Sequence, residues 1–199
     1  MAMIGLRYPV IAKLAAHTPG SEPTYEAGMF MGKARQANLN IERSNNPLRG
    51  DDEDCELDNS ITGMTYTVET DDVSEGAKVY MGLLEEVTSG GSTFYREHDG
   101  PSEKIGHGYM RVRQLRNNIS YQCIWIYCLQ MAQDSDNAST KPTGGVEWQT
   151  PTLTGRATPL KVTSGGKRYF RKIANFQDED VGLQWLKDLA GIVDETAGG

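Results

Sequence analysis

The densest chemistry-bearing stretch of the sequence is GDDEDCELDNS at 50–60, where Asp51, Asp52, Glu53, Asp54, Glu56 and Asp58 crowd together. Carboxylate oxygens of this kind are the hard ligands that Ca²⁺ and Mg²⁺ take. The spacing argues against a specific cation cage. The alternating D-x-[DN]-x-[DN]-G pattern of a calcium loop is missing, because the acids are largely consecutive. In an extended segment, adjacent side chains point to opposite sides. A charged contact arm or solvated loop fits the residues better than a metal site.

Other reactive side chains are scattered. His17, His98 and His107 stand in unrelated contexts, and none has the i,i+4 partner of a helical zinc pair. His107, between two glycines in IGHGYMRVR (105–113), reads as a strand-entry residue and not as a general base. Cys55 lies among carboxylates, a poor setting for a nucleophilic thiolate, while Cys123 and Cys128 read as core. Three cysteines without a CxxC spacing support neither a zinc site nor a disulfide framework. The SGGS and SGGK segments lack the surroundings of a phosphate loop. A metal-dependent hydrolase built on 51–58 would also need a base and an open cation position, which these residues do not assemble. The expectation is a protein that is not an enzyme and needs no cofactor.

The totals narrow the class further. The 199 residues carry 20 Lys and Arg against 27 Asp and Glu, a formal charge of -7. That balance opposes nucleic-acid binding, and the only basic density is GKRYFRK at 166–172. The opening MAMIGLRYPVIAKLAAHTPG, broken by Arg7, Pro9 and Lys13, does not read as a signal peptide. No segment approaches the apolar length of a membrane helix. The apolar fraction of 38% implies a thin core for this length, one completed by contact with other copies.

The elements that would position these residues are mostly strands. In KARQANLNIER (33–43), Ala37, Leu39 and Ile41 alternate with Gln36, Asn38, Asn40 and Glu42. In ITGMTYTVET (61–70), Met64, Tyr66 and Val68 alternate with Thr65, Thr67 and Glu69. Both read as half-buried strands with a wholly polar outer face, and the acidic stretch is the long loop 44–60 between them. NISYQCIWIYCLQMAQ (118–133) reads as a central strand covered on both sides, with Tyr121, Cys123, Trp125, Tyr127 and Leu129 on one face and Ile124, Ile126 and Cys128 on the other. Further strands are expected near 6–14, 105–113, 146–162 and 167–175. A helix over 71–84 would be capped by Asp72, with Val73, Ala77, Met81 and Leu84 inward. Another over 178–191 would pack Val181, Trp185 and Leu189. Residues 86–104 read as a second long loop. The result is a single mainly β domain over 1–199, with two helices.

Ordered motifs add a resemblance. IGLRYPVIAKL (4–14) is followed by GKA at 32–34, NPL at 46–48, the acidic stretch, DNSITG at 58–63 and DDV at 71–73 before a helix. Together with KPTGGVEWQTPTLTGRA at 141–157, this run resembles the major tail tube proteins of long, flexible-tailed bacteriophages. The resemblance implies a β-sandwich or partly closed barrel with a flanking helix. It also implies hexameric rings stacked into a tube that passes double-stranded DNA without binding it, and placement in the virion. Partners of that family are the tape measure protein and the tail terminator and tip proteins. On this reading Gln36, Asn38, Asn40, Glu42, Thr65, Thr67 and Glu69 face the lumen, and Asp51, Asp52, Glu53, Asp54, Glu56 and Asp58 form an intersubunit arm. A small-ligand-binding β-barrel remains the alternative, because its strands would alternate in the same way. A metal-binding protein using 51–58 is a further one.

Overall fold

The structure, a computed structural model, describes residues 2–50, 53–133 and 150–193. Its elements follow in the order β1 (Ala2–Ala16), β2 (Thr24–Phe30), β3 (Ala34–Arg43), β4 (Asn46–Gly50), β5 (Glu53–Asp58), β6 (Ile61–Thr70), α1 (Glu75–Tyr80), β7 (Leu84–Ser89), β8 (Ser92–Glu97), β9 (Ile105–Leu115), β10 (Asn118–Ala132), β11 (Thr152–Ala157), β12 (Arg171–Phe176) and α2 (Glu179–Ala190). The fold is mainly β, as the alternation of the sequence predicts.

One antiparallel sheet in the order β2-β1-β9-β10-β11-β6-β3 forms the body. Strand β10 is long enough to serve two neighbours on one edge. Residues 121–126 pair with β12, and residues 129–132 pair with β11. The sheet curls without closing. Its inner face gathers Ile11, Met64, Tyr66, Val68, Ile105, Tyr109, Ile124, Ile126 and Leu153, with Val73, Ala77 and Met81 around α1 closing the end. On the opposite side of β1, β9 and β10, helix α2 covers a second cluster of Val10, Ala12, Met110, Cys123, Trp125 and Leu186. Strand β10 is therefore covered on both sides, as expected.

Two close approaches make that second layer fit. A Cβ on Gly106 or Gly108 would lie 2.5 or 2.6 Å from the Trp125 ring, so the indole rests directly on the β9 backbone. A Cβ on Gly182 would meet Met110 Cε at 2.9 Å and Cys123 Sγ at 3.1 Å, which fixes how near α2 can come. Helix α2 is capped by the Asp178 carboxylate, which accepts from the amides of Asp180 and Val181, and it ends at left-handed Gly191. Arg7 ties its first turn to β1 through an ion pair with Glu179 at 2.5 Å, and Tyr8 donates to the same carboxylate at 2.8 Å. The hydrogen bond from Arg7 is the main reason that the Glu179 carboxyl lies below its ordinary range.

Several sequence expectations are corrected. The register shifts between Ile126 and Leu129, and one extra residue reverses the alternation. Leu129 consequently packs inside with Ile124 and Ile126, not beside Trp125. Helix α1 is a six-residue helix capped by Ser74, whose Oγ accepts from the Ala77 amide, and not by Asp72. Leu84 lies in β7 and not on the helix. In α2 the fully buried positions are Gly182, Leu186 and Ala190; Trp185 and Leu189 pack partly buried against the same cluster, as expected, while Val181 is 54% exposed. His107 is an interior residue of β9, fully buried. Its Nε2 lies 2.8 Å from the Tyr66 hydroxyl, and burial holds its pKa down at about 3, so the ring is neutral.

Both long loops are β-hairpins. Residues 84–97 pair as β7–β8, with Val87 opposite Phe94 and Thr88 opposite Thr93. Gly90 and Gly91 form its turn, with φ of 61° and 80°, the positive values that the tight hairpin turn needs. Residues 46–50 pair with residues 53–58 as β4–β5.

Candidate functional site: a polar sheet face and two hairpin arms

The candidate lumen residues meet on one surface. Antiparallel pairing sets Gln36 opposite Glu69, Asn38 opposite Thr67, Asn40 opposite Thr65, and Glu42 opposite Gly63. Opposed residues of an antiparallel pair share a face. The two polar sets of β3 and β6 are thus one polar face, while Leu39 opposite Tyr66 and Ile41 opposite Met64 point into the core.

A third strand extends this face, and its residues were not among the sequence candidates. Thr152, Thr154 and Arg156 of β11 stand opposite Glu69, Thr67 and Thr65. Their signal in the sequence is the alternation of Thr150, Thr152 and Thr154 in TPTLTGRA, on either side of Pro151 and Leu153. Gln36, Asn38, Thr67, Glu69 and Thr152 line a shallow groove on the surface.

The carboxylates along this face have partners. Thr65 Oγ1 donates to Glu42 Oε1 at 3.1 Å, and Arg156 Nη2 approaches Glu42 Oε2 at 3.7 Å. Thr150 Oγ1 donates to Glu69 Oε1 at 2.7 Å and accepts from Arg35 at 3.0 Å. Such a surface offers hydroxyls, amides and partnered carboxylates. Its guanidinium group at Arg156 already faces a carboxylate.

Two hairpins extend from the body. Hairpin β4–β5 continues β3 and β6; at its base Ser44 N donates to Ser60 O at 2.8 Å, and Arg43 donates to the Asn59 carbonyl at 3.0 Å. Asp58 accepts from the Ser60 amide at 3.0 Å, and that bond, followed by those of nearby serine hydroxyls, lowers its pKa. Glu53, Asp54 and Glu56 lie on β5, whereas Asp51 and Asp52 fall outside the described residues. Hairpin β7–β8 forms a separate two-stranded sheet beside α1, with Tyr95 41% exposed. Two-stranded ribbons are marginal in water by themselves, so both arms gain from a supporting surface.

The centre of the curled sheet, where a barrel protein would hold a ligand, is occupied by aromatic rings. Tyr66, His107 and Tyr109 pack with centroids 4.8 to 5.8 Å apart. Burial pushes the Tyr66 and Tyr109 hydroxyls well away from ionisation. Among the described residues, no three or more His, Cys, Asp or Glu side chains gather as metal ligands. No helix of the described residues is long and apolar enough to cross a membrane.

Compared with known proteins, the chain matches no family model, and no curated protein matches it.

Proposed function

We propose that this chain is a structural tube protein of the phage tail-tube type. Copies close into rings, six to a ring as the sequence resemblance implies, and the rings stack into a conduit for double-stranded DNA. The observation that carries this reading is the three-strand wall of β3, β6 and β11, apolar towards its own core and uniformly polar on the other face. A wall of this kind suits a water-filled bore. Duplex DNA carries about one negative charge per 1.7 Å, and tight binding requires Lys and Arg that displace its counterions. Short amides, hydroxyls and carboxylates do not, so DNA would slide past them. In this reading the chain performs no catalysis, and it meets the tape measure, terminator and tip proteins in the virion.

The two hairpins supply the arms that join copies. Each pairs as a two-stranded sheet separate from the main sheet, and in this reading a neighbouring copy covers it. Electron microscopy of the purified protein at rising concentration tests the proposal: rings or tubes are expected, and a discrete monomer at every concentration would overturn it. A reconstruction of the tube tests the finer assignment. Gln36, Asn38, Asn40, Glu42, Thr65, Thr67 and Glu69 should line the lumen; their appearance on the outer wall would sink the lumen assignment alone.

A further inference from the structure

The inner face of the sheet extends beyond the core as an uncovered patch on β1, β9, β10 and β12. Register places Arg113 opposite Met3, Arg111 opposite Leu6 and Gln122, and Arg171 opposite Ile126. Asn175, opposite Gln122, and Ile173, opposite Ile124, complete the same face. Helix α2 covers the reverse side of these strands. On this side Met3 is 57% and Ile173 44% exposed.

The patch is basic, in a chain that is acidic overall. Arg111 is held in place by Tyr109, donating to its hydroxyl at 3.1 Å with the guanidinium 5.3 Å from the ring centroid. Arg113 reaches Asn175 Oδ1 at 3.5 Å. The ion pairs of the described residues engage Arg7, Arg156 and Lys172 instead. Arg111, Arg113 and Arg171 therefore have no carboxylate partner among the described residues. Three guanidinium groups beside exposed apolar side chains make a surface ready for an acidic, partly apolar strand.

Hairpin β4–β5 has that character. Strand β5 carries Glu53, Asp54, Glu56 and Asp58, with Leu57 among them, and Pro47 and Leu48 lie on β4. It forms a two-stranded sheet of its own, and such ribbons are marginal without a third strand or a covering layer. We infer that the arginine face of one copy receives the acidic hairpin of a second copy. This inference rests on the proposal that copies assemble, and it names the surface through which they do so. Guanidinium forks suit carboxylates geometrically as well as electrically. Repeated head to tail, with one acidic arm and one arginine face per copy, the contact propagates as a ring or a stack.

The test is a charge exchange, read by sedimentation. One variant carries Arg111→Glu, Arg113→Glu and Arg171→Glu; a second carries Asp51→Lys, Asp52→Lys, Glu53→Lys and Asp54→Lys. Each alone should lose roughly tenfold or more of its assembled protein, since a tenfold loss corresponds to only about 1.4 kcal/mol. An equimolar mixture should regain assembly, because each arm then meets a face of opposite charge. A milder triple Arg→Gln variant, with a thermal melt of each subunit, separates lost contact from lost folding. Wild-type assembly should also weaken with added salt. Normal assembly of the Arg→Glu variant would overturn the pairing, as would failure of the mixture between two folded variants. So would duplex DNA binding that the Arg→Gln variant abolishes while it still assembles, or matched melting losses in both isolated variants, which would place the arm on its own chain. Tubes built from the Arg→Glu variant would leave the tube proposal standing without this contact. Restored association of the mixture without a bore would leave the contact standing without the tube.

Discussion

Strands β10 and β6 belong to one sheet, yet their outer faces have different fates. On β10, Ile124 and Ile126 pack inward while Cys123 and Trp125 pack against α2, so both faces are spent on folding. On β6, Met64, Tyr66 and Val68 pack inward while Thr65, Thr67 and Glu69 stay at the surface. The doubly covered half supplies rigidity, and the singly covered half keeps one face free for another use. The contrast teaches where substitution should be tolerated: on the polar face of β6, which the fold needs least.

The largest effect should come from removing the keystone of the covered half. Trp125→Ala would empty the space over Gly106 and Gly108, and such truncations cost about 3–5 kcal/mol. A denaturant titration checks this; a change below about 1 kcal/mol would mean that α2 does not depend on the indole.

Acid should act on the inner face next. His107 has an ordinary value of 6.5 and a folded value of about 3, so between these limits the unfolded chain takes up a proton that the folded chain refuses. Stability therefore falls as pH drops below 6.5, at up to about 1.4 kcal/mol per pH unit, and is unaffected by this group at higher pH. His107→Gln, which keeps a hydrogen-bonding group beside Tyr66, should flatten the difference in melting between pH 7 and pH 5. Equal acid sensitivity in the two proteins would show that His107 is not the source.

The smallest effect on folding should come from the polar wall. Asn38→Lys and Thr67→Lys, on paired positions, should each change stability by no more than about 0.5 kcal/mol. Within the proposed function they should still build tubes and yet slow genome release, because a cationic wall would hold phosphates. Losses comparable to those of Trp125→Ala would erase the distinction between the two halves.

What the sequence revealed follows the same division. The alternation of β3 and β6 is legible because one face is packed and the other wet, so polarity records direction. On β10 both faces are apolar, and nothing in the residue types marks the shift that turns Leu129 inward. Asp178 and Gly191 mark the ends of helix α2, and Trp185 and Leu189 mark part of its packed face; the centre of that face is hidden from a reading of hydrophobicity because Gly182 is suited to it by small size. The β7–β8 arm was hidden by its composition: exposed on most of its surface, it has only Val87 and Phe94 to suggest a strand pair. Pairing of Arg111, Arg113 and Arg171 on one patch joins segments far apart in the chain, which no local pattern encodes.

The pairing of β1 with β9 sets a timetable for synthesis. Val10 lies opposite Gly108, and Lys13 opposite Ile105, so the first long strand waits for a partner roughly a hundred residues later. At about 5–20 residues per second, a ribosome needs about 5–20 s to deliver it. Through that interval the nascent chain holds Val10, Ile11 and Ala12 without their final cover, and α2, the last described element, must still emerge to complete it. The docking surface proposed on β9, β10 and β12 thus comes into being only after those strands have followed β1 off the ribosome. Translation products that stop short of β12 would lack that surface, so within the proposed assembly the order of synthesis itself would screen out early fragments.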